Sequence, residues 1–448
     1  MLSEAHRLGI ADLKGAYSRG EFTASQFVSA QYARIDQLNP QLKAYIDLDR
    51  DRALADATES DRRFKEDQPR PLEGITMGIK SNIAVKGLEH NAGMASRAGM
   101  IAAEDADCVA KLRSAGVIIL GTLNMHEAAL GATTDNPTYG RCINPHAEGR
   151  TPGGSSGGSG AAVAAGLCTA ALGTDTLGSV RIPAAYCGIY GLKPTHYAIN
   201  GGQIDPCPID RGLVPLCDSL DAIGPLARSM DDISYLSNIL FAPDLATAMQ
   251  RARFLTLDGL GDVVPEPDVG RAFLSAIATL PMAPERLTLP HDAKRIRIAG
   301  FARAARELAV HMVELGEERC ARMSDDLARL IDFGLSRDAE LLEEDETILA
   351  DARAQITFAL GSNGILVLPT APQVSFLHGS RAPVNQADWT GLANIAGLPA
   401  VSLPMGMDSQ GLPMGIQMIG PAGAESLLIS QARAMDERLR AYAPPPGW

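Results

Sequence analysis

Of the 448 residues, 40 are Lys or Arg and 53 are Asp or Glu, a formal net charge of −13 with histidine neutral. Phosphate binding is driven by clustered positive charge, so this balance, with no Lys/Arg cluster, argues against direct nucleic-acid binding. Hydrophobic residues make up 46% and charged residues 21%, which excludes a disordered polar chain and predicts a packed core.

The start, Met1-Leu2-Ser3-Glu4, lacks the basic region and apolar run of a signal peptide, and no stretch of about 18 apolar residues exists to span a bilayer. The expectation is a soluble, cytoplasmic chain without membrane contact. Its seven cysteines (Cys108, Cys142, Cys168, Cys187, Cys207, Cys217 and Cys320) are an odd number with no CxxC pair, and read as reduced, mostly buried thiols.

In chain order, Thr23 and Gln26 form a capping box ahead of Phe27, Val28, Tyr32, Ile35 and Leu38 at helical spacing, a helix that Asn39-Pro40 is expected to stop. A charged helix follows over Asp49 to Lys65. From Pro71 to Pro225 the charge thins: the apolar runs Ile75-Ile79 and Val117-Leu120 read as strands around a helix from Asp107 to Ala115, a βαβ unit. Residues 159–173, small and apolar, read as a buried helix against a sheet. Residues 243–293 read as surface connections, Ile296-Ala299 as a strand, and Ala302 to Leu360 as two or three helices. Ile365-Leu368 and Ala400-Leu403 read as two more strands. With no repeat or long linker, the expectation is one α/β domain over 1–448, carrying a helical segment at about 300–360.

The glycine-rich run Thr151-Pro-Gly-Gly-Ser-Ser-Gly-Gly-Ser-Gly160 is the conspicuous chemical feature, followed by Gly173-Thr-Asp-Thr-Leu-Gly-Ser179-Val-Arg-Ile-Pro183. Glycine lets a backbone approach a ligand closely. A linker does not sit between well-patterned apolar elements. Gly153 to Gly157 satisfies G-x-S-x-G, but His146 to Pro152 is polar and proline-broken where a nucleophile elbow needs a strand. Neither phosphate-loop nor dinucleotide spacing is present.

A serine nucleophile needs a base. His126, His146 and His196 are the nearest histidines in sequence, each isolated from a local acid and better read as a surface or core residue. His126-Glu127 has no second histidine at zinc-binding spacing. Lysine remains. Lys80 follows Ile75-Thr-Met-Gly-Ile79, which buries the start of its side chain and lowers its pKa, although on the residues alone a surface strand end is the commoner reading.

The segments Gly78-Ile-Lys80-Ser-Asn82, Gly121-Thr-Leu-Asn-Met-His-Glu127, Thr151 to Ser159, Gly173 to Pro183 and Cys187-Gly-Ile-Tyr-Gly-Leu-Lys-Pro194 together resemble the amidase signature family of serine amidohydrolases. The resemblance continues through Ser219-Leu-Asp-Ala-Ile-Gly-Pro225, Asn394 to Ser402 and Gly411 to Gln417, covering roughly residues 10 to 440. It implies the amidase-signature fold, a large central mixed β-sheet covered by helices on both faces. It implies a triad of Ser179 as nucleophile, Ser155 as bridging serine and Lys80 as base, with a cis peptide at Gly154-Ser155. It also implies an oxyanion hole from the backbone N–H groups of Thr176, Leu177, Gly178 and Ser179, and no metal or other cofactor. Two positions depart from the common pattern: Leu177 stands where many members have Gly, and Ser81 where Asp is common after the lysine. Asp175 and Arg181 read as a structural charge pair framing the nucleophile loop.

The activity implied is hydrolysis of a carboxamide C–N bond, other than a peptide bond, through an acyl-enzyme, with a small-molecule amide as substrate. Alternatives are the glutaminase-type component of a tRNA-dependent amidotransferase, and a hydrolase of small ureido acids resembling biuret or allophanate. The acyl pocket is sought at Met125, Arg141 in the Tyr139-Gly140-Arg141 turn, Trp389 and the 300–360 helices. The resemblance further implies a homodimer.

Overall fold

The computed structural model describes residues 2–196, 211–243 and 251–447; Cys207 and part of the 243–293 stretch lie outside them. The strands are β1 (Tyr45–Leu48), β2 (Thr76–Lys80), β3 (Ile118–Leu123), β4 (Asp135–Asn136), β5 (Gly140–Arg141), β6 (Ala170–Asp175), β7 (Tyr190–Lys193), β8 (Ala222–Ala227), β9 (Arg253–Leu257), β10 (Glu285–Leu287), β11 (Gly364–Pro369), β12 (Ala400–Met407) and β13 (Pro413–Ile419). All but β4 and β5, which pair with each other, join one 11-stranded sheet in the order β1-β3-β2-β6-β8-β7-β12-β13-β11-β9-β10. Parallel pairing links β3, β2 and β6 on one side and β11, β9 and β10 on the other, and antiparallel pairing joins the middle.

Strand side chains alternate between faces, and here each face has its own core. Ile365, Val367, Val401, Leu403, Ile416 and Met418 belong to one cluster, with Ile233, Phe273 and Leu427 from the helices Met230–Leu240, Pro267–Ile277 and Glu425–Leu439. Their neighbours Leu366, Leu368, Ala400 and Ile419 belong to the other, with Ile296, Leu327 and Ile356 from the helices Ala293–Val313, Asp325–Leu335 and Ala339–Leu360. The mixed sheet with helices on both faces is thus as expected. No helix among the described residues is long and apolar enough to cross a membrane.

The βαβ unit is present, with the helix Asp107–Ser114 between parallel strands β2 and β3. The first long helix, Ala24–Leu42, has the expected capping box at Thr23. It does not stop at Asn39-Pro40. Pro40 lies inside its last turn and the end comes at Lys43, whose left-handed φ of 54° closes the helix. The 159–173 stretch is not one helix: the helix covers Gly157–Ala164, and residues from Ala170 enter β6 between β2 and β8.

Two further expectations are corrected. Residues 243–293 are not only connections, because β9, the helix Pro267–Ile277 and β10 lie there, and β9 pairs with β11. Ile296-Ala299 is not a strand but part of Ala293–Val313, whose buried residues Ala293, Ile296, Ala299 and Gly300 recur at helical spacing behind the N-cap Asp292. The 302–360 region then holds most of that helix, the short Glu317–Cys320, Asp325–Leu335 and Ala339–Leu360.

Candidate active site

Strands β2 and β6 run parallel, so their C-terminal ends place Lys80 beside Thr174 and Asp175, the position where open α/β sheets bind ligands. The serine loop lies against these ends, and its glycines are required by contact. A Cβ on Gly154 would stand 2.7 Å from the backbone of Ala132 and Thr133, and one on Gly158 2.3 Å from the Asn124 carbonyl. The Gly154–Ser155 peptide is cis, as the resemblance implied.

Lys80 and Ser155 are fully buried. Lys80 Nζ donates to Ser155 Oγ at 2.7 Å and to Thr174 Oγ1 at 2.7 Å, and Asn82 Nδ2 donates to the same threonine at 3.2 Å. Burial pulls the lysine down from its ordinary 10.5 to about 7, opposed in part by the carboxylates of Asp221 and Asp175. A substantial neutral fraction at neutral pH makes it a competent base. Ser81, where an acid is common, is buried, and its hydroxyl meets no partner among the described residues.

The nucleophile loop is fixed from several sides. Ser156 N–H donates to Ser179 O at 3.3 Å, and Ser156 Oγ exchanges hydrogen bonds with the Thr174 backbone, which ties the two serine loops together. Ser179 itself is partly exposed. Asp175 and Arg181 form a fully buried pair at 2.9 Å, and Arg181 also donates to Gln417 and Asn394. Burial works to raise the Asp175 carboxyl, yet Arg181, Lys193 and Asn394 hold it down to about 2.

Of the four N–H groups expected to form the oxyanion hole, one is already engaged. Gly178 N–H donates to Asp175 Oδ1 at 2.7 Å, while those of Thr176, Leu177 and Ser179 have no protein acceptor among the described residues. A carboxylate thus already holds the Gly178 proton, which the other three do not share. Gly178 has φ +128°, and a Cβ there would lie 2.3 Å from Thr390 Oγ1. Thr390 Oγ1 in turn donates to the Leu177 carbonyl at 2.7 Å. The Leu177 side chain points into the helical layer, where Gly300 and Gly391 make room: Cβ atoms there would lie 3.3 and 3.5 Å from its Cδ2.

The three pocket candidates sit in different surroundings. Arg141 is about half exposed and pairs with Asp135 at 2.8 Å. Trp389 is fully enclosed, its indole N–H donated to the Leu260 carbonyl at 2.8 Å. Met125 is fully buried, with its side chain against Gly93. The histidines are occupied elsewhere: His146 and His196 bond the carbonyls of Cys187 and Asp218, and His126 bonds Thr133, its pKa lowered by burial to about 4. Sequence reasoning missed Thr174 on β6, and also Thr390, Asn394 and Asp221, which reach the centre from distant segments. Thr174 was the most accessible of these, being next to Asp175 on β6.

Comparison with known proteins gives a consistent picture. The family model described as Amidase matches residues 26–429. The A component of the glutamyl-tRNA(Gln) amidotransferase from Roseiflexus sp. (strain RS-1) is 32% identical over 472 residues, covering 95% of each chain. A solved structure described as an unexpected vestigial protein complex that reveals the evolutionary origins of an s-triazine catabolic enzyme has a TM-score of 0.87 and 28% identity, over 98% of this chain and 100% of that one. The native peptide amidase from Stenotrophomonas maltophilia has a TM-score of 0.80 and 26% identity, over 99% of each chain.

Proposed function

The chain belongs to the amidase family, whose chemistry is at C–N bonds, and on that premise we propose that it hydrolyses a linear carboxamide through an acyl-enzyme on Ser179. The observation that carries this reading is the bond from the buried Lys80 Nζ to Ser155 Oγ, beside a partly exposed Ser179. Neutral Lys80 takes the proton of Ser155 as Ser155 takes that of Ser179, and Ser179 Oγ attacks the amide carbonyl. The N–H groups of Thr176, Leu177 and Ser179 receive the developing oxyanion. Ser155 protonates the departing nitrogen and ammonia or an amine leaves. Water then attacks the acyl group by the reverse route, giving the acid and free Ser179.

The whole chain acts as one cytoplasmic domain, and the helix Ala293–Val313, against Leu177, forms a wall of the acyl pocket. A second reading has support in the relatives: the Roseiflexus protein, alike over nearly its full length, is a component of a glutamyl-tRNA(Gln) amidotransferase. On that reading this chain releases ammonia from glutamine for partner chains. A panel of primary amides, ureido acids and glutamine, assayed for ammonia release with the wild type and Ser179→Ala, separates the two. Turnover of one amide class by the isolated chain supports the amidase, turnover confined to glutamine supports the amidotransferase component, and turnover undiminished in Ser179→Ala defeats both.

A further inference from the structure

The segment from Val214 to Asp221 lies along the catalytic centre without contributing to the relay. Val214 N–H donates to the Asn82 carbonyl at 2.8 Å, and Asn82 donates to the Thr174 hydroxyl that Lys80 also uses. The segment ends in a turn, with Leu220 and Asp221 N–H both donated to the Cys217 carbonyl. Immediately afterwards Ala222 pairs with Asp175 across β8 and β6, which brings Asp221 alongside Thr176.

The Asp221 side chain is buried and fully engaged. Its Oδ1 accepts the Thr176 hydroxyl, and its Oδ2 accepts the N–H groups of Leu216 at 2.8 Å and Cys217 at 3.1 Å. These donors are all neutral. Burial pushes the Asp221 carboxyl up from 3.8 to about 6, opposed by these donors and, least of all, by Lys80, while Asp221 in turn works to raise Lys80. The other charged or titratable groups around it are otherwise committed. Asp175 is locked to Arg181, with Lys193 acting on Asp175; the buried Cys217 thiol is kept neutral; and Glu307 is bonded by Ser219.

We propose that Asp221 is a positioning residue for the acyl transfer: it anchors the Thr176 end of the nucleophile loop and sets its carboxylate at the end of β6 where Lys80 bonds Thr174. Two contributions follow from one side chain. The bond to Thr176 fixes the direction of a backbone N–H that faces the oxyanion. The charge favours protonated Lys80 and so offsets part of the lowering that burial imposes on the base.

This rests on Ser179 being the nucleophile, so the test reads that serine directly and needs no natural substrate. A fluorophosphonate reacts by forming an Oγ–P bond on Ser179, with fluoride leaving and the serine proton passing through the relay. Its labelling rate is measured against pH by intact mass. In the wild type the rate rises with pH to a plateau. Asp221→Asn removes the charge that favours the ammonium, so the half-point moves to lower pH by about one unit or more. Asp221→Glu returns it toward the wild-type value. Thr176→Val leaves the half-point in place and lowers the plateau at least ~10-fold. A wild-type half-point in folded Asp221→Asn overturns the inference. If Asp221→Asn does not fold, Thr176→Val decides, and an undiminished plateau there overturns it. Absence of labelling at Ser179 in the wild type defeats the acyl-enzyme reading itself and takes this inference with it.

Discussion

Asp175 accepts the backbone N–H of Gly178 at 2.7 Å, so the carboxylate at the end of β6 holds the residue immediately before Ser179. The same carboxylate is paired with Arg181, and both are fully buried. Removing one partner leaves the other charge uncompensated, which typically costs about 3–5 kcal/mol. Asp175→Ala and Arg181→Ala are each expected to lose stability of that order in urea unfolding. The contribution of Asp175 has a defined window. Its pKa falls from 3.8 to about 2 on folding, so its stabilisation is present above about 3.8 and is lost as pH falls through about 2.

The depressed pKa of Lys80 sets a pH dependence with a definite sign. The base must be neutral, so kcat/KM is expected to rise with pH through a midpoint near 7. Between about 7 and 10.5 the folded chain also binds fewer protons at this site than the unfolded chain. The lysine therefore favours folding increasingly as pH rises across that interval. A rate falling through pH 7 would be inconsistent with Lys80 acting as a base.

Thr174 Oγ1 accepts from Lys80 Nζ at 2.7 Å beside its bond to Ser155. Thr174→Val keeps the shape and removes that acceptor, leaving the amine free to swing away from Ser155. A loss of roughly tenfold in kcat with little change in KM is expected, since general-base assistance contributes about 10²–10⁴ in all. Steady-state kinetics on any turned-over amide checks it.

Gly178 cannot carry a side chain. At φ +128°, with Thr390 Oγ1 2.3 Å from where a Cβ would lie, Gly178→Ala is both strained and overpacked. Activity is expected to fall below detection, and adding Thr390→Ser, which keeps the hydroxyl, is not expected to restore it. Near-normal activity in the single variant would show the loop free to move.

Metal chelators are expected to leave the rate unchanged, because every proton transfer in the proposed cycle is assigned to Lys80, Ser155 and Ser179. Turnover before and after prolonged dialysis against a chelator checks this.

Much of the centre was legible because its residues are close in sequence and of constrained type. The glycines around Ser155 touch backbone, so their identities mark the loop directly, and Lys80 ends an apolar strand. The partners from afar were not legible: Asp221, Thr390 and Asn394 meet the nucleophile loop only after the chain folds back across the sheet. The strand read at Ile296-Ala299 shows a local ambiguity. Its alternating Arg and Ile satisfy a period of two, while burial at Ala293, Ile296, Ala299 and Gly300 follows the helical period, and the Asp292 cap was the available signal. Sequence also cannot reveal that Asp175 folds back to accept the Gly178 N–H.

The most direct test of the central claim is peptide mapping of protein quenched in acid during turnover of an amide found to be a substrate. An acyl mass increment is expected on the peptide carrying Ser179, absent in Ser179→Ala and accumulating in Ser155→Ala or Lys80→Ala only on a much slower timescale. An increment on another residue, or steady turnover in Ser179→Ala, would contradict it.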